Sequence, residues 1–243
     1  MLNLIGMGLG NEKDITLKQL EILKKCDFIY LENYTSKLNF NIKDLEKLIG
    51  KEIIISDREL VETKADEIIK NAKDSDVAVL IKGDVFSATT HIDLFLRAKD
   101  KIEIKIYHNA SIITAVGDCG LSLYNFGKIS SIPFNNLNIV GPLNNLKNNL
   151  SLGMHSLFLL DLNKDNFMDF KEGLKYLLRE LKEDDFAVVL AGIGKENIIK
   201  YGKINNLLEL KIEAYPQSII IPGKLHFIEE EMLNLFVVSN NKA

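Results

Sequence analysis

Apolar residues gather in short, strand-length runs along the chain: LNLI, DFIYL, EIIIS, VAVLI, IEIKIY, LFLLD, FAVVLA and SIIIP. Several are unbroken instead of alternating with polar residues, which is how strands buried on both faces read. Between most of them lie helical patterns. Thr16 with Gln19 three residues on makes a capping box, and Leu17, Leu20 and Leu23 continue it as an apolar stripe. A second pattern runs from Ile42 through Leu45 to Ile49 and ends at Gly50, where a left-handed cap belongs. A third places Val61, Ala65, Ile68 and Ala72 on one face. Strands alternating with helices predict an α/β fold: an N-terminal, mostly parallel sheet with helices on both faces, and a C-terminal α/β domain.

The texture changes between residues 128 and 150, where SSIPFNNLNIVGPLNNLKNNL is crowded with asparagine and holds two prolines, the signature of a linker or connecting loop. The expected division is therefore 1–130 and 131–243. The chain has 243 residues, 47% hydrophobic and 26% charged, enough for a sizeable core. A net charge of −4 leaves no broad basic face for a nucleic acid backbone. Cys26 and Cys119 lie far apart without metal-ligand spacing, which points to a reducing, cytoplasmic setting and no structural zinc. The N-terminal run soon turns charged at Glu12 and Lys13, so neither a signal peptide nor a membrane span is expected.

Candidate chemistry sits at the ends of the predicted strands. Gly6, Gly8 and Gly10 follow the first, but Asn11 stands where a dinucleotide fingerprint needs its third glycine and the helix opens late, at Thr16. The loop offers either bare backbone to a ligand or a simple connection. GDVFSATTH, Gly83 to His91, follows VAVLIK and so lies on the same carboxyl edge, where open α/β sheets bind ligands. Asp84 can accept from an ammonium or a ribose hydroxyl, and Thr89 or Thr90 can cap the next helix. HNASIITAVG follows IEIKIY, with Asn109 or Ser111 as ligand contact or N-cap. Three such loops on one edge predict a small-molecule site lined by backbone and hydroxyls. His91, His108, His155 and His226 show no paired ligand spacing, and no nucleophile elbow appears.

The segments IGMGLG, GDVFSATTH and HNASIITAVG together resemble the class of S-adenosylmethionine-dependent methyltransferases that includes the tetrapyrrole methylases. Within it, ATTH, HNASIITAVGDCGLSLYNFGK, GMHSLFLLDL and IIIPGKLHFIE resemble the diphthine synthases, over nearly the whole chain. The resemblance implies a two-domain homodimer with S-adenosyl-L-methionine, and its product S-adenosyl-L-homocysteine, folded in a cleft between domains. It carries cofactor contacts onto Leu9, Asp84, Ser87, Ser111, Ile112, Leu160, Ile193 and Gln217. The family commonly has proline at Val85, a change that should loosen the loop slightly, and arginine at Gly192. The implied reaction is trimethylation of the 3-amino-3-carboxypropyl histidine on elongation factor 2, in diphthamide synthesis. A tetrapyrrole C-methyltransferase is the alternative of the same fold, and a non-catalytic nucleotide-binding module that of another class. Methyl transfer needs an acceptor lone pair in line behind the methyl carbon more than covalent help from the protein, so no catalytic residue is assigned.

Overall fold

The computed structural model describes residues 1–32, 41–56, 65–163 and 166–238. Its elements run β1 (Leu2–Gly6), α1 (Leu17–Leu23), β2 (Phe28–Glu32), α2 (Ile42–Ile49), β3 (Ile54–Ser56), α3 (Ala65–Asp74), β4 (Val77–Ile81), α4 (Ile92–Ala98), β5 (Ile104–Tyr107) and α5 (Ile112–Ala115). They continue with β6 (Ser130–Ile132), α6 (Gly141–Ser151), β7 (Ser156–Leu160), α7 (Phe170–Leu177), β8 (Phe186–Ala191), β9 (Ile198–Lys203), α8 (Ile204–Leu208), β10 (Gln217–Ile221) and α9 (Phe227–Asn234). Two compact units result, Met1–Ile113 and Thr114–Ala243. The division falls at α5, ahead of the asparagine-rich stretch on which the sequence places it.

The first unit is built on a sheet in the order β3-β2-β4-β1-β5, every pair parallel. The unbroken apolar runs are explained by its two covered faces. Leu2, Leu4, Val77, Val79 and Ile81 pack with α3 and α4, through Ile68, Ala72, Leu94 and Ala98. Ile5, Ile29, Leu31, Ala78 and Leu80 face the other way, onto Leu23 of α1 and Leu45 and Ile49 of α2. Leu80 is fully buried, and Leu80→Ala would cost about 2–5 kcal/mol in lost transfer energy and residual cavity.

The capping box at Thr16 forms: its hydroxyl accepts from Gln19 N at 3.2 Å and Gln19 Oε1 accepts from Thr16 N at 2.9 Å. The stripe behind it needs correction. Leu23 is buried, but Leu17 is 81% exposed and Gln19 takes the inward place. Steps of three residues drift by about 60° around a helix, so Leu17 and Leu23 cannot share a face. Gly50 ends α2 in the left-handed region, at φ 78°. Ala65, Ile68 and Ala72 are buried on α3, while Val61 lies outside the described residues.

The second unit carries a mixed sheet, β6-β7-β10-β8-β9, parallel between β6 and β7 and antiparallel elsewhere. The expected linker is largely structured: it contains β6 and α6. Pro142 occupies the first turn of α6, where its missing N–H costs nothing, and Leu143 and Leu146 are buried beside Phe158 and Phe170. The asparagines are not all solvated either. Asn149 is buried, accepting from Lys128 N at 3.0 Å and donating to Lys128 O at 3.1 Å and Ser156 Oγ at 3.0 Å. No helix among the described residues is long and apolar enough to cross a membrane.

Candidate functional site

Parallel pairing of β4, β1 and β5 puts the loops after all of them on one edge, and backbone contacts lock the loops together. Gly8 N donates to Gly83 O at 3.1 Å and Gly83 N to Gly8 O at 2.9 Å, an antiparallel bridge added to the end of a parallel pair. Both glycines take positive φ, 77° and 78°. Gly6 is required by proximity: a Cβ there would lie 2.7 Å from Gly83 O and 3.2 Å from Asn109 Cβ. Gly83 has the opposite environment. A side chain there would stand in open space, its nearest neighbour Ala110 O at 3.8 Å, so glycine leaves room in front of the loops.

Asp84 joins the second and third loops. Its Oδ2 lies 2.8 Å from His108 Nδ1 and accepts from Asn109 N at 3.2 Å, while Oδ1 accepts from Ser87 Oγ at 2.9 Å and Phe86 N at 3.2 Å. A carboxylate offers about four lone-pair positions, and these donors take them all. Burial works against its ionisation, but the hydrogen bonds from His108, Ser87, Phe86 and Asn109 outweigh it and hold the carboxyl below its ordinary range. The ammonium or ribose hydroxyl that the sequence offers to Asp84 would therefore have to displace a partner. Ser111 is buried, with Oγ accepting from Ile113 N at 3.2 Å, and Leu9, Ser87 and Ile112 are half-buried along the same edge. Thr89 does not cap α4: its hydroxyl turns back to Val85 O at 2.7 Å, and His91 holds the cap position without a side-chain capping bond. Val85, where the family commonly has proline, is fully buried in the core.

Further bonds that build the site escape a reading of the sequence. Gln19 donates to Gly6 O at 3.0 Å and to Tyr107 O and His108 O at 3.3 and 3.2 Å. Asn109 Nδ2 reaches Gly6 O at 3.1 Å and Asp14 O at 3.0 Å. Lys82, buried at the end of β4, donates to Gly10 O at 2.9 Å, and Asp14 Oδ2 accepts from Gly10 N at 2.6 Å. Burial lowers the Lys82 ammonium to about 8 despite the favourable charge of Asp14. The one sequence signal for Lys82 is a lysine closing an otherwise apolar run; for Gln19 it is the capping box, which explains its bonds to Thr16 but not those to Gly6, Tyr107, His108 and Asn109.

The second unit gathers Leu160, Ile193 and Gln217 at one edge of its sheet. Leu160 ends β7, Gln217 begins β10 opposite Ala191, and Ile193 follows two residues later, buried. Gln217 is engaged throughout its amide: Oε1 accepts from Phe170 N at 2.8 Å and Nε2 donates to Ile212 O at 3.1 Å and Ala214 O at 2.9 Å. Gly192 sits at φ 59° with Glu196 Oε2 pressed against the place a Cβ would take, a position poorly made for the arginine common in the family. His155, fully buried, lies 3.2 Å from Glu229 Oε1, and His226 caps α9 by accepting from Ile228 N. His91 is buried, and desolvation lowers its ring to about 4. No cluster of metal-ligating side chains occurs among the described residues.

The chain matches the family of tetrapyrrole (corrin/porphyrin) methylases over residues 1–207. It is 43% identical over 249 residues to a diphthine synthase of Methanococcus aeolicus, covering 96% of each chain. It belongs to the diphthine synthases, within the tetrapyrrole methylases. The diphthine methyl ester synthase of Schizosaccharomyces pombe is 39% identical over 269 residues, covering 98% of this chain and 95% of its own. A crystal structure of a diphthine synthase superposes with a TM-score of 0.91 at 34% identity, over 97% of this chain and 95% of that one. Membership makes the protein an enzyme, a methyltransferase of diphthine formation, and bears out the expected α/β architecture.

Proposed function

We propose that the protein transfers methyl groups from S-adenosyl-L-methionine to the amine of a 3-amino-3-carboxypropyl histidine on elongation factor 2, three times in succession, releasing S-adenosyl-L-homocysteine. The observation that carries this is the fused edge of the first unit, where the Gly8–Gly83 bridge and the Asp84 latch hold three glycine- and hydroxyl-rich loops together in a diphthine synthase chain. The open space before Gly83 suits a ligand that lies against main chain. When bound, the donor supplies an electrophilic methyl carbon on a sulfonium sulfur. Leu9, Asp84, Ser87, Ser111 and Ile112 of the first unit and Leu160, Ile193 and Gln217 of the second are the proposed contacts. Asp84 and Gln217 serve by holding backbone in place, since their polar atoms are already engaged. The protein works as a cytoplasmic homodimer in this reading.

The test is the intact mass of elongation factor 2 after incubation with protein and donor. Factor bearing the aminocarboxypropyl histidine gains mass in single-methyl steps confined to that peptide, and unmodified factor gains none. Turnover on a precorrin with none on the modified factor would favour ring-carbon methylation instead. A second reading has one observation behind it: the Schizosaccharomyces pombe relative is named for a methyl ester. A fourth methyl, labile to mild base as a carboxylate ester is, would establish it.

A further inference from the structure

The structure pairs an exposed histidine with a buried carboxylate at the candidate site. His108 Nδ1 and Asp84 Oδ2 are 2.8 Å apart, the histidine side chain 68% exposed and that of the aspartate 8%. Asp84 also receives Asn109 N, Ser87 Oγ and Phe86 N, so it is fixed as an ionised acceptor and cannot donate a hydrogen to the ring. The ring must then carry its hydrogen on Nδ1. That leaves Nε2 with a lone pair directed outward, where no hydrogen-bond partner is found among the described residues. Phe86 packs edge-on to the imidazole, with centroids 6.4 Å apart, and limits its rotation. His108 also lies three residues before Ser111, and its own carbonyl is tied down by Gln19.

We propose that His108 is the general base of the methyl transfer, resting on the reading that the acceptor is an amine. Each cycle begins with the ammonium of the acceptor arm giving one proton to Nε2. The freed nitrogen lone pair forms the N–C bond as the S–C bond breaks, and the electrons of that bond stay on sulfur as a neutral thioether. The imidazolium returns its proton to water before the next transfer. The first and second transfers leave an alkylammonium with a proton to lose. The third leaves a quaternary nitrogen with none, and the base has no further role. Asp84 orients the ring, as a buried carboxylate does for an imidazole base in hydrolytic triads. The exposure of His108 suits an acceptor presented on a long arm by a protein too large to enter.

His108→Asn separates the two roles of the residue, because the asparagine amide keeps an N–H near the position of Nδ1 for Asp84 and deletes Nε2. Turnover on the modified factor should fall by about 10²–10⁴-fold, the usual contribution of a general base, while calorimetry shows unchanged affinity for S-adenosyl-L-homocysteine. Parental turnover in the variant overturns the proposal. So does a loss of product affinity as large as the loss of turnover, which would make His108 only a latch. The parent protein supplies an independent measurement: long-range ¹H–¹⁵N spectra, at a pH where the ring is neutral, should show the hydrogen on Nδ1. A hydrogen on Nε2 overturns the proposal whatever the acceptor. If the parent itself leaves the modified factor unmethylated, the substrate assignment is at fault, and the tautomer then decides whether His108 is built as a base.

Discussion

Lys82→Met isolates the effect of a charge buried beneath the first glycine loop. Lys82 is 8% exposed and its ammonium is lowered from 10.5 to about 8, mainly by desolvation. The sign follows from proton binding. Between pH 8 and 10.5 the unfolded chain holds this proton and the folded one does not, so folding is favoured increasingly as pH rises through that window. Below pH 8 both states hold it and the folded protein bears the full desolvation cost. At ~1.36 kcal/mol per pKa unit, the parent should gain about 2.5 kcal/mol over Lys82→Met between pH 7 and pH 10. At pH 7 the variant sheds that cost but leaves Gly10 O without its donor, a loss of about 1–3 kcal/mol, so the two proteins start nearly equal. Urea unfolding of both at pH 7, 8, 9 and 10 gives the difference curve directly, since titrations common to the two cancel. A flat curve would refute the argument and mean that solvent reaches Nζ. At pH 10 the variant should also bind the methyl donor more weakly than the parent, as the loop around Leu9 loses its anchor.

Asp84→Asn leaves donors at His108, Ser87, Phe86 and Asn109 facing an amide, so stability should fall by about 1–3 kcal/mol and donor affinity with it. Because the Asp84 carboxyl titrates below its unfolded value near 4, the parent's advantage is complete above that pH and fades as acid protonates the folded state; urea midpoints at pH 3 to 7 should converge at the acid end. Cys26 and Cys119 are buried and burial raises both thiols to about 11, so the double Cys→Ala variant should keep parental turnover and the native protein should react slowly with a thiol reagent. Gly192→Arg puts a side chain at φ 59° and displaces the Glu196 carboxylate, which should lower the melting temperature by an amount matching about 1–2 kcal/mol; an unchanged Tm would show that this loop adopts another conformation.

Strands β3 and β5 lie at edges and show through their isoleucines. Most strands that the sequence reveals, however, are central ones with two covered faces, because burial on both sides leaves an unbroken apolar run. β9 escapes notice for the opposite reason: IIKYGK is an edge strand, with Lys200 and Gly202 interrupting it. α6 hides behind its asparagines, since residues such as Asn149 are buried through bonds to Lys128 and Ser156 that exist only once the fold has formed. The same division applies to the site. The Gly6 to Gly10, GD and HNAS loops are visible as local composition at strand ends. The bonds that join them run between residues far apart in the chain, Asp84 to His108, Gln19 to His108 and Lys82 to Gly10, and no local pattern records them.

The strand order of the first sheet also dictates when the enzyme can become functional during synthesis. β1 is the first strand made, yet it is flanked by β4 and β5, and its register partners begin at Val77 and Ile104. A nascent chain therefore carries LNLI without a ladder until most of the first unit has emerged. Parallel pairings over such separations close slowly and leave apolar edges open meanwhile. The glycine loop at the end of β1 meets Gly83 only at that stage, so in the proposed reading donor binding marks completion of the sheet. Fragments ending before β4 should be insoluble, and a stalled chain extended through β5 should be the shortest to resist proteolysis across residues 1–32.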